Sequence, residues 1–464
     1  MRFTVFLASL FLTGASHAQT SVQHPDFFTG YAAQSIGVTG SLQPANGVYP
    51  KRPNWVVTGV DEPAGIPAAS LPLKIPGVSP LPAHCRALIE APGKAVNHIN
   101  CQQDGGAGFT FDGWDFSVNG GVYLDSTFAV TGPVVIKNSR FVYGPTFSSS
   151  GASAYHSLLN IAVAGSLLFD HNYLDANGPQ TVKDGSGMPA TLSAGHYPMT
   201  ITYNAFLRGR ARDVVSTGYG KPQGDVILLH NYFEGLTYAS GEAHGEITLL
   251  TWTGTMNNFI SQYNTFLEPN TTFMDSTTNG MTAPFVPSLS VPAGAVLTNL
   301  SIDHNVMVSN YAKVNGAYVV KPTMGAVGAT LQMATFVNVT LTNNYLDKTA
   351  ADYCWYTPSA PVIQNFTSGG NVNLLTGGGA NGLAINGNGF SGTASLSKGV
   401  LNVTSINLGG IGVGSQIHIG RSTVPVISRG TGTGGTGTYH VLDTTLSYPL
   451  EGFAVWADQC NTGG

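Results

Sequence analysis

The sequence predicts an all-β chain, most of it a solenoid in which one unit is stacked on itself, and three observations carry that reading. The first is a recurring phrase: an apolar residue, two variable residues, Asn, one more residue, then Phe, Leu or Met. It reads Phe169-Asp-His-Asn172-Tyr-Leu174, Ile201-Thr-Tyr-Asn204-Ala-Phe206 and Leu228-Leu-His-Asn231-Tyr-Phe233. It returns as Ser261-Gln-Tyr-Asn264-Thr-Phe266, Ile302-Asp-His-Asn305-Val-Met307 and Leu341-Thr-Asn-Asn344-Tyr-Leu346. Looser copies precede these at Phe111–Phe116 and Ile136–Phe141. A fixed phrase returning every few tens of residues marks a repeat architecture. The second observation is composition: 59 of 464 residues are Gly and only 9% are charged, as in a β-rich chain with many turns. The third is that apolar residues do not recur at the 3.6-residue helical period, which excludes a helical solenoid.

The Asn positions advance by 32, 27, 33, 41 and 39 residues. The phrase is constant and its spacing is not, which suits a coil of fixed strands with one variable loop. Asn bonds backbone at tight turns and tolerates the left-handed region, so it is placed at a sharp corner between strands. One per coil, Asn172, Asn204, Asn231, Asn264, Asn305 and Asn344 are expected to bond one another as stacked amides do in cross-β structures. The Phe, Leu or Met that follows should point inward. His171, His230 and His304, each one residue before a ladder Asn, are expected to stack at the turn as structural residues.

Strand-like runs such as 226–229 and 339–341 lead into the Asn. Further back, Asp213–Thr217 precedes the turn 218–224, and Glu246–Thr251 precedes the turn 252–255. The segments 157–161 and 190–193 are the equivalent first strands of earlier coils. These runs give about seven to nine coils, enough for a continuous core in a repeat array. On these residues the chain resembles the right-handed parallel β-helix family, the architecture of pectate lyases and many secreted bacterial or phage proteins, over 83–377.

The flanking segments are read separately. Residues 1–18 have the form of a bacterial Sec-type signal: Arg2, an apolar run from Phe3 to Leu12, then the small residues Ser16 and Ala18 ahead of Gln19. That run is too short for a permanent anchor, and no other segment approaches transmembrane length. The expectation is a protein secreted or held in the periplasm or at the cell surface. Residues 19–82, rich in Pro and Gly, are expected to cap the open end of the first coil. Four cysteines in an oxidising compartment favour two disulfides. Cys85 lies close to Cys101, and pairing Cys354 with Cys460 would staple the tail back to the coils. After Gly377 the character changes. Residues 388–457, with the turn-rich Gly430–Tyr439, look like a small β module found in phage tail and exported bacterial proteins, followed by a tail over 458–464.

A net charge of −5 recommends no nucleic-acid partner; low charge and scattered aromatics suit a polysaccharide along a groove. The resemblance implies acidic residues, often with Ca²⁺, and an Arg or Lys base; some hydrolases of this architecture use paired Asp instead. One region crowds such groups: Arg208, Arg210, Arg212 and Asp213 at one first strand, Glu242, His244 and Glu246 at the next. The register places Asp213 and Glu246 one coil apart, about 4.8 Å in the hydrogen-bonding direction. Two stacked carboxylates share a proton, bind a cation such as Ca²⁺, or are neutralised by Arg. His244 can serve as acid or base near neutral pH.

Lys183, Tyr197, Tyr219, Lys221 and Trp252 are the candidate sugar contacts. Structural Arg–Asp pairs at loop–strand junctions are the bland alternative for the same cluster. The pectate lyase run with a downstream Arg-x-Pro-x-x-Arg is absent, as are the polygalacturonase Asn-x-Asp, Asp-Asp and Gly-His-Gly patterns. Activity is therefore expected on fold analogy. The reading is a secreted lyase of acidic polysaccharides using Arg210, Arg212, Asp213, His244 and Glu246. The alternatives are a non-catalytic exported glycan-binding or cell-surface protein, or a glycoside hydrolase of the same fold.

Overall fold

The computed structural model describes residues 19–23, 28, 49, 51–89, 95–101, 108–126, 131–142, 159–161, 164–175, 192–207, 213–217, 223–234, 246–250, 252–268, 288–289, 294–309, 313–314, 317–318, 335–346, 355–357, 362–374, 377, 383–385, 390–406, 411, 416–432 and 435–456. Among them the fold is all-β, with two short 3₁₀ turns at Ala68–Ser70 and Val118–Gly120. No described helix is long and apolar enough to cross a membrane.

Three large sheets dominate. Sheet A has nine strands, from Phe109–Asp112 to Val362–Gly369; sheet B has eight, from Arg140–Val142 to Val372–Asn373. Sheet C also has eight, from Arg86–Leu88 to Ser288–Leu289. From Pro133 to Ser309 the chain adds one strand to A, one to B and one to C in turn, each parallel to its predecessor in that sheet. One such passage is a repeat. Stacked parallel sheets visited in rotation are compatible with a β-helix-like fold.

The phrase explains the A–B corner. Within each copy the last residue of the sheet A strand is followed by a residue with positive φ, then the Asn, then the sheet B strand. The positive φ falls on His171 (52°), Tyr203 (54°), His230 (53°), Tyr263 (56°), His304 (55°) and Asn343 (54°). The left-handed residue is thus the one before the ladder Asn, whereas the sequence had assigned that tolerance to the Asn. The Asn contributes its amide instead. From Asn172 to Asn344 each Nδ2 donates to the Oδ1 of the next Asn at 2.9–3.1 Å. The same Oδ1 accepts the preceding Asn backbone N–H at 2.8–3.0 Å.

Nδ2 also reaches back to a sheet A carbonyl, as from Asn231 to Ile201 at 2.7 Å. The ladder runs one step further than the phrase, to Asn371. All seven amides are at most 1% exposed, so each fills hydrogen-bonding capacity that burial would otherwise leave costly. Beneath them Phe206, Phe233 and Phe266 stack in sheet B with centroids 4.9 Å apart and planes 7° off parallel, adding aromatic contact to area burial.

A second amide ladder lies on the outer side of sheet A. Asn258 Nδ2 donates to Asp225 Oδ2 at 2.8 Å and Asn299 to Asn258 at 2.9 Å. Asn338 donates to Asn299 and Asn365 to Asn338, both at 3.1 Å. Asn338 and Asn365 are solvent-exposed and adopt φ of 56° and 55°, a conformation Asn accepts more readily than most residues.

Within the segment expected to cap the first coil, residues 52–74 run along the A–B corner and the outer face of sheet B, and Leu81 packs against the main core. Arg52 O accepts from Tyr345 Oη at 3.5 Å, and Trp55 packs edge-on against His304 at 4.7 Å. Thr58 Oγ1 donates to Tyr263 O at 3.2 Å, and Glu62 bonds His230 Nδ1 at 3.0 Å. Gly65 N donates to Tyr203 O at 2.9 Å, and Lys74 N to Gly113 O at 2.6 Å. At Gly59 (φ 80°) the chain lies so close on the Tyr232 ring that a Cβ has no room.

The physical reason is the outward column of sheet B. Tyr173, Ala205, Tyr232 and Val306 are too apolar for water, and Val57, Val60, Ala64 and Ile66 bury them in a second core. The first strands of sheet C are instead held by the antiparallel pair Arg86–Leu88 and His98–Asn100, closed by the Cys85–Cys101 disulfide. Cys354 and Cys460 lie outside the described residues, as do the signal and the tail.

The C-terminal strands close on themselves. Six antiparallel strands between Phe390 and Trp456 form a barrel, a closure that removes exposed edges. In its Gly-Thr-rich turn, Gly432 lies against the Tyr439 ring with no space for a Cβ. Tyr439 Oη donates to Gly435 O at 2.7 Å. The glycines there serve close packing under a tyrosine.

Candidate functional site

Sheet C carries the groups with acid–base chemistry. Along its early strands Ile99, Leu124, Leu159 and Ile161 face the core at 0% exposure, so alternation sends the intervening polar residues to the other face. Register aligns His98 with Tyr123, and Asn100 with Asp125 and Asn160. The Tyr123 hydroxyl lies 2.8 Å from His98 Nδ1, and the two rings stack with centroids 3.9 Å apart. His98 Nε2 is 3.8 Å from Asp125 Oδ2. Asn100 and Asn160, from the repeats on either side, donate to the Asp125 carboxylate at 3.4 and 3.3 Å. The phenol is thus hydrogen-bonded to the imidazole, and the carboxylate stands beside the far ring nitrogen at ion-pair distance rather than hydrogen-bond distance. His98 and Tyr123 are buried, at 6% and 2% exposure. The disulfided pair of strands holds one half of this cluster in place.

Further along sheet C, Asp213 and Glu246 are direct partners on adjacent parallel strands, in the alignment the phrase implies. Arg210, Arg212, His244, Lys183, Tyr219 and Lys221 lie outside the described residues. For Asp213 and Glu246 only the backbone register is described. Ca²⁺ takes six to eight oxygen ligands, more than two carboxylates supply. Among the described residues no group of three or more His, Cys, Asp or Glu is placed to hold a metal ion.

Two predicted sugar contacts are corrected. Trp252 is fully buried, and its Nε1–H donates to Val296 O at 3.2 Å. Tyr197 is 7% exposed and its hydroxyl donates to Ile161 O; burial holds its phenol above the ordinary range. Neither ring offers a face to a sugar. Both begin or end a tight turn between C and A, where a large ring plugs the corner of the core.

Two acids that the sequence reading passed over sit at the ends of sheet B strands. Asp175 is 3% exposed and Glu234 0%; Tyr232 Oη donates to Glu234 Oε2 at 2.8 Å. Burial, then the charge of Glu234, raises the Tyr232 phenol well above its usual value. In register, Leu207 separates the two acids by one strand on either side. Their signal was available, since each stands third after a ladder Asn, the last position before the chain leaves for the segments carrying Lys183 and Glu242–Glu246 respectively.

The A–B corner, by contrast, is structural, as the recurrence of its histidines implies. His171, Tyr203, His230, Tyr263 and His304 stack in one column with centroids 4.7–5.0 Å apart. Each His is tied to an acid: His171 to Asp170 at 2.8 Å, His230 to Glu62 at 3.0 Å and His304 to Asp303 at 2.7 Å. Compared with known proteins, the chain matches no family model, no curated protein and no solved structure.

Proposed function

We propose that the stacked sheets form a right-handed parallel β-helix of the pectate-lyase-like kind, exported by the signal at 1–18, that cleaves an acidic polysaccharide by β-elimination. The observation that carries this reading is the pairing of Asp213 with Glu246 on adjacent strands of sheet C. Around it the sequence concentrates Arg208, Arg210, Arg212, Glu242 and His244. In this mechanism the polymer lies along sheet C. Arg210 or Arg212 pairs with the uronate carboxylate, which makes the adjacent C–H more acidic. His244 or an unprotonated Arg takes that proton. The electron pair forms a carbon–carbon double bond while the bond to the leaving glycosyl oxygen breaks. That oxygen takes a proton from water, and the protonated base later restores its own proton to the solvent. Asp213 and Glu246 hold the arginines or Ca²⁺; Ca²⁺ bound there supplies positive charge beside the uronate.

The test is to incubate the chain from Gln19 onward with polygalacturonate, alginate and hyaluronate, with Ca²⁺ or with chelator, and follow the ultraviolet absorbance of unsaturated ends. The reading expects absorbance with at least one polymer, lost in Asp213→Asn and Glu246→Gln. No absorbance with any polymer rejects the lyase, and new reducing ends without absorbance point to hydrolysis. A second reading, a non-catalytic exported glycan-binding protein, is favoured by the burial of His98, Tyr123, Asp175 and Glu234, which shields those groups from a polymer. Under it the chain is retained by a uronate polymer without cutting it.

A further inference from the structure

The outer face of sheet A takes no part in the chemistry above, yet it is organised as a surface. Register runs a central column along it, one residue per repeat, through Val135, Leu168, Ile227 and Ile260 to Thr340 and Thr367. Thr367 is exposed and the others are half-buried, while the strand neighbours of Val135, Leu168, Ile227, Ile260 and Thr340 are core. On one side of this column stands the outer amide ladder. On the other, Thr202 and Thr342 hydroxyls donate to Asp170 and Asp303, each at 2.7 Å. The face is therefore a strip with an aliphatic and hydroxyl centre and polar margins, repeating about every 4.8 Å.

The outer ladder has hydrogen-bonding capacity beyond its own needs. A primary amide has two N–H donors and two acceptor lone pairs. Asn338 uses one Nδ2 donor and one acceptor position for the ladder, and it is exposed. A hydroxyl, both donor and acceptor, complements such an amide, and the C–H faces of sugar rings pack on an aliphatic strip. Charge decides the class of polymer. Asp170, Asp225 and Asp303 lie along the face, and Lys137 is engaged by Asp112 at 3.2 Å. The strip therefore repels a polyanion and is not the seat of a uronate chain.

We propose that the outer face of sheet A binds a linear, uncharged polysaccharide lying across the strands, along the direction in which the repeats stack. This surface is independent of sheet C and holds whether or not a uronate polymer is cleaved there.

The experiment is affinity electrophoresis of the full chain from Gln19 through gels containing barley mixed-linkage β-glucan, konjac glucomannan or polygalacturonate. The Asn338→Asp/Asn365→Asp variant keeps the left-handed turns and removes the two exposed amide donors. A second variant, Thr340→Arg, obstructs the central column from a different strand position, so a folding defect in one leaves the other informative. The expected result is retardation by at least one of the two neutral glycans. Apparent affinity should fall about tenfold in the double Asp variant, the effect of losing one to two net hydrogen bonds, and retardation should be lost in Thr340→Arg. The proposal is overturned if neither neutral glycan retards the chain, or if both folded variants are retarded like the parent.

Discussion

Two asparagine ladders run through this molecule, built from the same amide-to-amide bond at nearly the same length, and they are set in opposite surroundings. The ladder from Asn172 to Asn371 is buried at the A–B corner, and each of its amides also serves backbone groups of the preceding repeat. The ladder from Asp225 to Asn365 lies on the outer side of sheet A, and its last two amides are exposed. The buried amides replace water for groups that have no access to it. The two exposed outer amides compete with water for their bonds, so their net contribution to stability is small and their spare capacity faces outward. Surroundings, more than residue type or bond length, separate a structural ladder from a binding one.

The comparison can be broken at several points. Phe233→Ala empties the space between Phe206 and Phe266 directly under the buried ladder, and about 4 kcal/mol of stability should be lost in urea unfolding. A loss below about 1 kcal/mol means the corner collapses onto the cavity and the core there is not close-packed. Asn231→Ala leaves the Asn204 backbone N–H and the Ile201 carbonyl without their partner, and the expected loss is about 3 kcal/mol.

A smaller effect tests the margin of the same corner. Burial pushes the Asp170 carboxyl upward, but hydrogen bonds from His171 and Thr202 outweigh it and hold the group below its ordinary value. A carboxylate depressed in the folded state contributes stability above its unfolded pKa and loses it as pH falls through the folded value. Asp170→Asn should therefore flatten the fall in stability below about pH 4, read from melting temperatures across an acid series. An unchanged acid limb means those hydrogen bonds do not favour the ionised form. Asn338→Asp on the outer ladder should change stability by less than about 0.5 kcal/mol, as ordinary surface substitutions do.

Much of this was legible in the chain, because the phrase is short and local. It located the A–B corner, the inward Phe column and the alignment of Asp213 with Glu246. It stopped at Asn344 because the copy around Asn371 ends in Asn373, with the apolar Leu374 one place late. The outer ladder also had a local signal: Asn258, Asn299, Asn338 and Asn365 each stand six residues before a buried ladder Asn. Other features had none. The flank segment bonds residues such as Tyr345, 293 positions away from Arg52, and proline content identifies such a segment as irregular without saying what it covers. Trp252 and Tyr197 sit at turns, where an aromatic ring can plug a corner or face a ligand; only the packing around them chooses.

The most direct test of this division is a matched pair, Asn231→Ala and Asn338→Asp, each measured by urea unfolding and by retardation in mixed-linkage β-glucan and glucomannan gels. The account predicts that Asn231→Ala loses about 3 kcal/mol yet binds as the parent does while folded, and that Asn338→Asp keeps its stability and is retarded more weakly than the parent. Equal losses of stability from the two substitutions, with retardation untouched by either, would contradict it.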